Sequence, residues 1–493
     1  MSLSWLAVGL VLLLPWMLAS LWLRTLWTEP EPGVWPSALG YGFMLAMVGV
    51  ALILGTMGLI GLAPSVLPVL AIVLLLVWLG RDDFNAWIRT RPILSERPRT
   101  EQPWWARLFW MLLALYLLVR LLGLGLELAL QPVFAWDAWT TWIFRTKAWA
   151  ESGQFVTFVS PGEWLAGVPE SASAYTIAAA GYPSGVSLIA LWPVLARGEW
   201  NEMAMSLPWL GCVMALGLGF YGQVRLWGAG PLTALVFLYV LASLPLLDSH
   251  VALVGYADLW LATSLGLAAI AFLQWVRTGD RRQLGLWILL ALACLLFKRE
   301  GAVWILLFLP ALIAARVSRV WRLGLLACLI ALVIAGWMSG GLSGTVPILG
   351  TFSLTPTLID LPWIGRFDLT YYNSWPAVRR HLFVYDNWHL LGYLLLFAIG
   401  AGLVRVFRAE APSWLRAQMT FTLGSLILFY LLFFMTGAHL WAEKATSLNR
   451  LILHFVPVYV FGMMTLWELV RSSQLDGERP ANAVSGRSVS AQD

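Results

Sequence analysis

The sequence predicts an all-α polytopic membrane protein of about thirteen transmembrane helices with one juxtamembrane or re-entrant helix. Three observations carry that expectation. Of 493 residues, 60% are hydrophobic and only 12% charged, far from the balance of a soluble domain. Apolar stretches near spanning length recur along almost the whole chain. Arginines fall in clusters separated by room for one out-and-back helical pair each time, as expected if basic residues stay on the cytoplasmic side.

Taken in order, Leu3 to Leu23 reads as a span rather than a cleaved signal, because no Ala-x-Ala-like site follows it. Residues 1–80 hold three apolar segments and read as an N-terminal membrane appendage. The arginine-rich, proline-containing stretch 81–105 reads as a cytoplasmic loop. A transmembrane core follows over 106–470, with sizeable outer loops at 131–202 and 340–387. The polar tail 471–493 reads as disordered and cytoplasmic. Further arginines at 225, 277, 281, 282, 316, 319, 322, 405, 408 and 416 mark the inner side. That places 131–202, 248–257, 298–300, 340–387 and 437–449 outside. Ala174 to Ala196 is apolar enough to span, yet letting it cross would reverse every later loop. Its Tyr182-Pro183 entry and Trp192-Pro193 step suit a broken interfacial helix instead.

Composition also excludes. Cys212, Cys294 and Cys328 all lie in apolar segments and form no C-x-x-C or zinc pattern. A net charge of +5 gives no support for nucleic-acid binding. No repeat suggests the paired halves of a secondary transporter.

Candidate chemistry concentrates in the outer segments. Asp137 sits among Trp136, Trp139, Trp142 and Trp149 just after an apolar run, where a carboxylate is costly unless it meets water, a partner or a substrate. In a regular helix Asp137, Thr141 and Arg145 follow an i, i+4, i+8 row, so acid and base would point into one aqueous cleft. An interfacial aromatic belt and a structural ion pair are the plain alternatives. The chain has 28 arginines but three lysines, Lys147, Lys298 and Lys444, and all three map outside. Cations held there suit a phosphate or diphosphate headgroup, or equally a snorkelling anchor. Lys298-Arg299-Glu300-Gly301 interrupts the apolar run Leu284 to Ala315, which is long enough for two short helices meeting at a charged turn. Gly255-Tyr256-Ala257-Asp258 puts a second acid on the face of Asp137. Together the two acids could hold a divalent ion, magnesium or manganese, or divide the roles of base and electrostatic partner, unless Asp258 simply caps its helix. Asp248 and His250 are weaker candidates nearby. Arg450 falls at the outer end of the last apolar stretch, where it can clamp a phosphate. Arg379, Arg380 and His381 form a further basic cluster.

Four short segments, Trp-Asp-Ala-Trp at 136–139, Gly-Tyr-Pro at 181–183, Gly-Tyr-Ala-Asp at 255–258 and Lys-Arg-Glu-Gly at 298–301, occur in an order that resembles the GT-C superfamily of integral membrane glycosyltransferases, in particular the lipid A aminoarabinose transferases and protein O-mannosyltransferases. The resemblance covers roughly 106–470. It implies transfer of a sugar from a polyprenyl-phosphate or diphosphate carrier to a glycan, lipid or protein acceptor at the periplasmic face of a bacterial inner membrane. It implies Asp137 at the catalytic centre and Asp258 as the second acid. Lys298 and Arg450 would face the carrier phosphate. Apart from the resemblance, charge placement adds Lys147 to the substrate site, and the neighbouring residues Arg145, Arg299, Glu300, Tyr182 and Tyr256 complete it. Asp137-Ala138 stands where some members carry an Asp-Glu pair, which leaves the metal open. The rival readings are a lipid-linked glycan flippase, an O-antigen ligase or polymerase, and a non-catalytic assembly subunit.

Overall fold

The computed structural model describes residues 3–27, 31–80, 103–167, 174–347, 350–362, 365–408 and 411–477. The expected cytoplasmic loop lies outside these residues except for its last three positions, as does the tail from 478 onward. Of the described residues, 74% are helical. Among the described residues, eight helices are long and apolar enough to cross a membrane, or nine if the bent pair Pro231–Ala242 and Pro245–Ala252 is one span. The expected thirteen is not reached by length and composition, because several apolar stretches fold as shorter or broken helices. Val66–Leu79 has 14 residues, Arg281–Phe297 has 17, and the run beyond Lys298 splits into Glu300–Ile305 and Phe308–Arg316.

Helix Asp258–Thr278 is the hub. Almost every residue in it is buried, and its small side chains let neighbours approach closely: a Cβ on Gly266 would lie 2.6 Å from Pro457 Cβ in helix Val456–Gly477. Most of its polar groups are tied to other helices, the buried Trp260 indole being the exception, with no hydrogen-bond partner among the described residues. Ser264 donates to the Leu290 carbonyl at 2.7 Å, Gln274 to the Gln223 carbonyl at 2.9 Å, and the Leu267 carbonyl accepts from Tyr41 at 2.8 Å. Inside a membrane such satisfaction is what permits polar residues in a core.

Two of the first three helices are part of this core and do not stand apart as an appendage. Gly40 of helix Val34–Leu59 packs backbone to backbone on Gly219 of Glu202–Leu226. Trp192 donates to the Val11 carbonyl of helix Leu3–Thr25 at 2.8 Å. Only Val66–Leu79 stays peripheral, with Val69 its one buried residue. The segment at 174–196 forms a short helix, Gly185–Arg197, buried for ten consecutive residues among these neighbours, with Pro193 inside it.

The late outer loop departs from the all-α expectation. Leu342–Val346, Gly350–Thr355, Leu358–Leu361 and Gly365–Asp368 form a four-stranded antiparallel meander, pairing Leu342 with Leu354, Ser353 with Asp360 and Leu358 with Asp368. Beyond it Thr370 and Tyr372 donate to the carbonyls of Met435 and Phe434, which fastens the loop to the end of helix Ser413–Met435. At the far end, helix Val456–Gly477 continues past Arg471, where the tail was expected to begin.

Candidate active site

Asp137 immediately precedes a π-helical turn, Ala138–Trp142. The wider turn breaks the i, i+4, i+8 row: Thr141 and Arg145 are buried while Asp137 stays partly exposed. Of the tryptophans, Trp142 and Trp149 are buried while Trp136 and Trp139 face outward. Under this turn lies Gly255, whose φ of +100° and contact with Ala138 leave no room for a side chain. The segment 136–139 is thereby seated on 255–258, and the two acids are brought to either side of one arginine.

Asp258 opens the hub helix fully buried. Its Oδ1 accepts from Lys298 Nζ at 2.9 Å and from His454 Nε2 at 3.0 Å. Its Oδ2 accepts from Arg450 Nε at 3.0 Å and Nη2 at 2.7 Å. The indole of Trp304 donates to His454 Nδ1 at 3.1 Å, so that nitrogen carries no proton and His454 is a neutral Nε2–H donor. Four donors saturate Asp258. Asp137 differs: its Oδ2 accepts from Arg450 Nη2, its Oδ1 takes no hydrogen bond from any described residue, and the side chain is 28% exposed. One acid is locked into the scaffold and the other keeps a lone pair available to a ligand.

Arg450 lies over the Tyr256 ring at 4.4 Å. Burial alone would lower its pKa, but the carboxylates of Asp258 and Asp137 raise it above the ordinary value, which keeps it charged. Its Nη1 makes no hydrogen bond to a described residue and is free for an anion. Burial, and after it Arg450, act in opposite directions on the Tyr256 phenol, and burial prevails to raise its pKa.

Gly-Tyr-Pro and Lys-Arg-Glu-Gly meet on the other flank. Lys298, at the extended corner after helix Arg281–Phe297, bridges Asp258 and Glu300, the latter at 3.3 Å. Glu300 accepts from the Tyr182 hydroxyl at 3.4 Å, whose pKa is pushed up to about 12 by burial and by the Glu300 charge. Arg299 lies over the Tyr182 ring and donates to the Gly181 carbonyl at 2.9 Å. All four resembling segments therefore converge.

Two expected site residues do not join them. Arg145 turns away from the cleft because of the π turn. Its guanidinium donates to the carbonyls of Ala179, Ala180, Tyr182 and Pro183, bracing the loop that presents Tyr182. Burial lowers its pKa to about 10, still well above neutrality. Lys147 pairs with Glu151 at 3.8 Å over Trp200, half exposed. Lys298, expected to face a phosphate, is instead spent on two acids.

Beside Arg450 opens a cavity of about 320 Å³ whose walls include Tyr256, His250, His381, Tyr385, Asn449 and Thr446. Trp388 donates to Asn449 Oδ1 at 3.1 Å, Asn449 to His381 Nδ1 at 2.9 Å, and His381 Nε2 to the Ala442 carbonyl at 3.1 Å. This relay ties the late outer loop to the site. His454 and Trp304 escaped sequence reasoning. A lone histidine in the apolar run Leu451 to Phe461 was the available signal, since ionisable groups at membrane depth default to function.

The residues do not fit a divalent ion held between the acids. Arg450 occupies the position between them, Asp258 has no unshared oxygen, and among the described residues no group of three or more His, Cys, Asp or Glu gathers to hold a metal. Comparison with known proteins found no matching family model, no similar curated protein and no similar solved structure.

Proposed function

We propose that the chain is a GT-C-like membrane glycosyltransferase that moves a sugar from a polyprenyl-phosphate or diphosphate carrier to an acceptor at the periplasmic face of a bacterial inner membrane. The observation that supports this reading best is the meeting of four sequence-distant segments around the pair Asp258 and Arg450, the latter carrying one guanidinium nitrogen without a hydrogen bond to a described residue beside an open cavity. A free donor of fixed charge suits the oxyanion of a leaving phosphate.

In this reading Asp137 accepts the proton of the acceptor hydroxyl as its oxygen bonds to the anomeric carbon. The bond from that carbon to the carrier phosphate breaks, and the electron pair leaves with the phosphate against Arg450. Asp258, itself fixed by His454 and Lys298, holds Arg450 in place, and none of the three touches substrate. A single displacement inverts the anomeric carbon. The test is transfer of radiolabelled sugar from a panel of polyprenyl-phosphate sugars by the full chain in liposomes, wild type beside Asp137→Asn. Product formed by wild type and absent from the variant supports the enzyme. Labelled lipid that crosses the bilayer unchanged, equally well in the variant, makes the protein a flippase.

A further inference from the structure

His250 is a wall residue of the cavity beside Arg450 and is only 4% exposed. Its Nδ1 lies 2.9 Å from the Leu246 carbonyl one turn back in helix Pro245–Ala252, an acceptor that requires a hydrogen on Nδ1. The other ring nitrogen, Nε2, is therefore a bare acceptor. Among the described residues it has no hydrogen-bond partner, although it is shielded from solvent. The ring leans on Tyr256, centroids 5.4 Å apart, and Tyr256 in turn lies under the Arg450 guanidinium. A buried acceptor without a donor is costly, and native structures rarely leave one without a use. Every other imidazole in the cavity wall is saturated: His381 has both nitrogens engaged.

We propose that His250 Nε2 accepts the hydrogen of a ligand hydroxyl in this cavity, and so reads one hydroxyl of the sugar while Arg450 holds the phosphate. Nε2 is shielded as it stands, so neighbouring wall groups must shift for a ligand to reach it. The inference rests on the reading that the cavity takes the carrier-linked sugar. A site built to pair a hydroxyl discriminates strongly against a ligand lacking it, because the site's own polar group is then left unpaired.

The experiment measures binding of undecaprenyl phosphate and of undecaprenyl-phosphate glucose, galactose, mannose and arabinose to the full chain in nanodiscs. For the sugar-bearing carrier that wild type binds best, His250→Phe is expected to raise Kd roughly tenfold to a hundredfold. Binding of undecaprenyl phosphate alone stays unchanged, which also shows the variant folded. His250→Gln, which keeps an acceptor, restores most of the loss. One monodeoxyfluoro analogue of that sugar weakens binding to wild type by the same factor and costs nothing more in His250→Phe. An unchanged Kd in His250→Phe, or equal weakening of bare and sugar-bearing carriers, overturns the role of His250 and leaves the transferase reading standing. If wild type does not distinguish any sugar-bearing carrier from the bare phosphate, the sugar reading of the cavity fails and this inference fails with it.

Discussion

Helices Asp258–Thr278 and Arg319–Met338 are nearly equal in hydropathy, yet the most apolar window of the first is 94% buried and that of the second 6%. Hydropathy identifies both as membrane segments and says nothing of which one is central. What separates them is polar content and whether a glycine meets a neighbouring helix, since each holds five Gly and Ala residues. The first carries Asp258, Thr263, Ser264 and Gln274, each tied to another helix, and Gly266 seated on Pro457. The second has charges only near its start, at Arg319 and Arg322, and an apolar surface exposed along its length. In lipid, apolar side chains gain little from one another, so satisfied polar groups and close backbones decide what packs inside. The active-site candidate is built on the helix that has them.

The largest effect that would sharpen this contrast is Asp258→Ala, which leaves Lys298 and Arg450 buried without their shared acid. It is expected to cost about 3–5 kcal/mol in an SDS unfolding titration. Asp137→Asn keeps the fold, because Asp137 is partly exposed and accepts a single hydrogen bond. Its expected cost is roughly 10²–10⁴-fold in transfer rate. Gly266→Leu forces the hub helix off Pro457 and destabilises by about 1–3 kcal/mol in the same titration. The matching change in the outer helix, Gly324→Leu, meets nothing within 4 Å and is expected to shift stability by about 0.5 kcal/mol or less. Smallest of all is the effect of a chelator such as EDTA, which leaves the transfer rate unchanged because Arg450 supplies the charge between the acids. Equal penalties at Gly266 and Gly324, or loss of transfer in chelator, would break the comparison.

Much of the site was legible where chemistry contradicts its surroundings. Asp137, Asp258, Lys298 and Arg450 announce themselves as charges beside apolar runs, and the charged corner after residue 297 follows from the length of that run. The direction of Arg145 was not legible. It depends on a π turn of five residues that no periodicity announces, and one extra residue per turn is enough to send a guanidinium to a different set of carbonyls. The docking of the second helix turned on Gly40 meeting Gly219, and that of the first on Ser20 meeting Gly42, contacts between small residues that hydropathy ignores. The meander at 342–368 lies where glycines and short apolar pairs alternate without the helical period, in a loop read only as ordered. His454 gave only the signal of a single imidazole in an apolar run, which reads as core until its partners are known.

The central claim is that Arg450 is the anion site and Asp137 the acid poised beside it. Its most direct test is binding of radiolabelled undecaprenyl phosphate to the full chain in nanodiscs, comparing wild type, Asp137→Asn and Arg450→Gln. The account predicts that Arg450→Gln loses binding, and that Asp137→Asn binds at least as tightly as wild type, because it removes a competing carboxylate, while remaining inactive in transfer. Undiminished binding by a folded Arg450→Gln protein would contradict it.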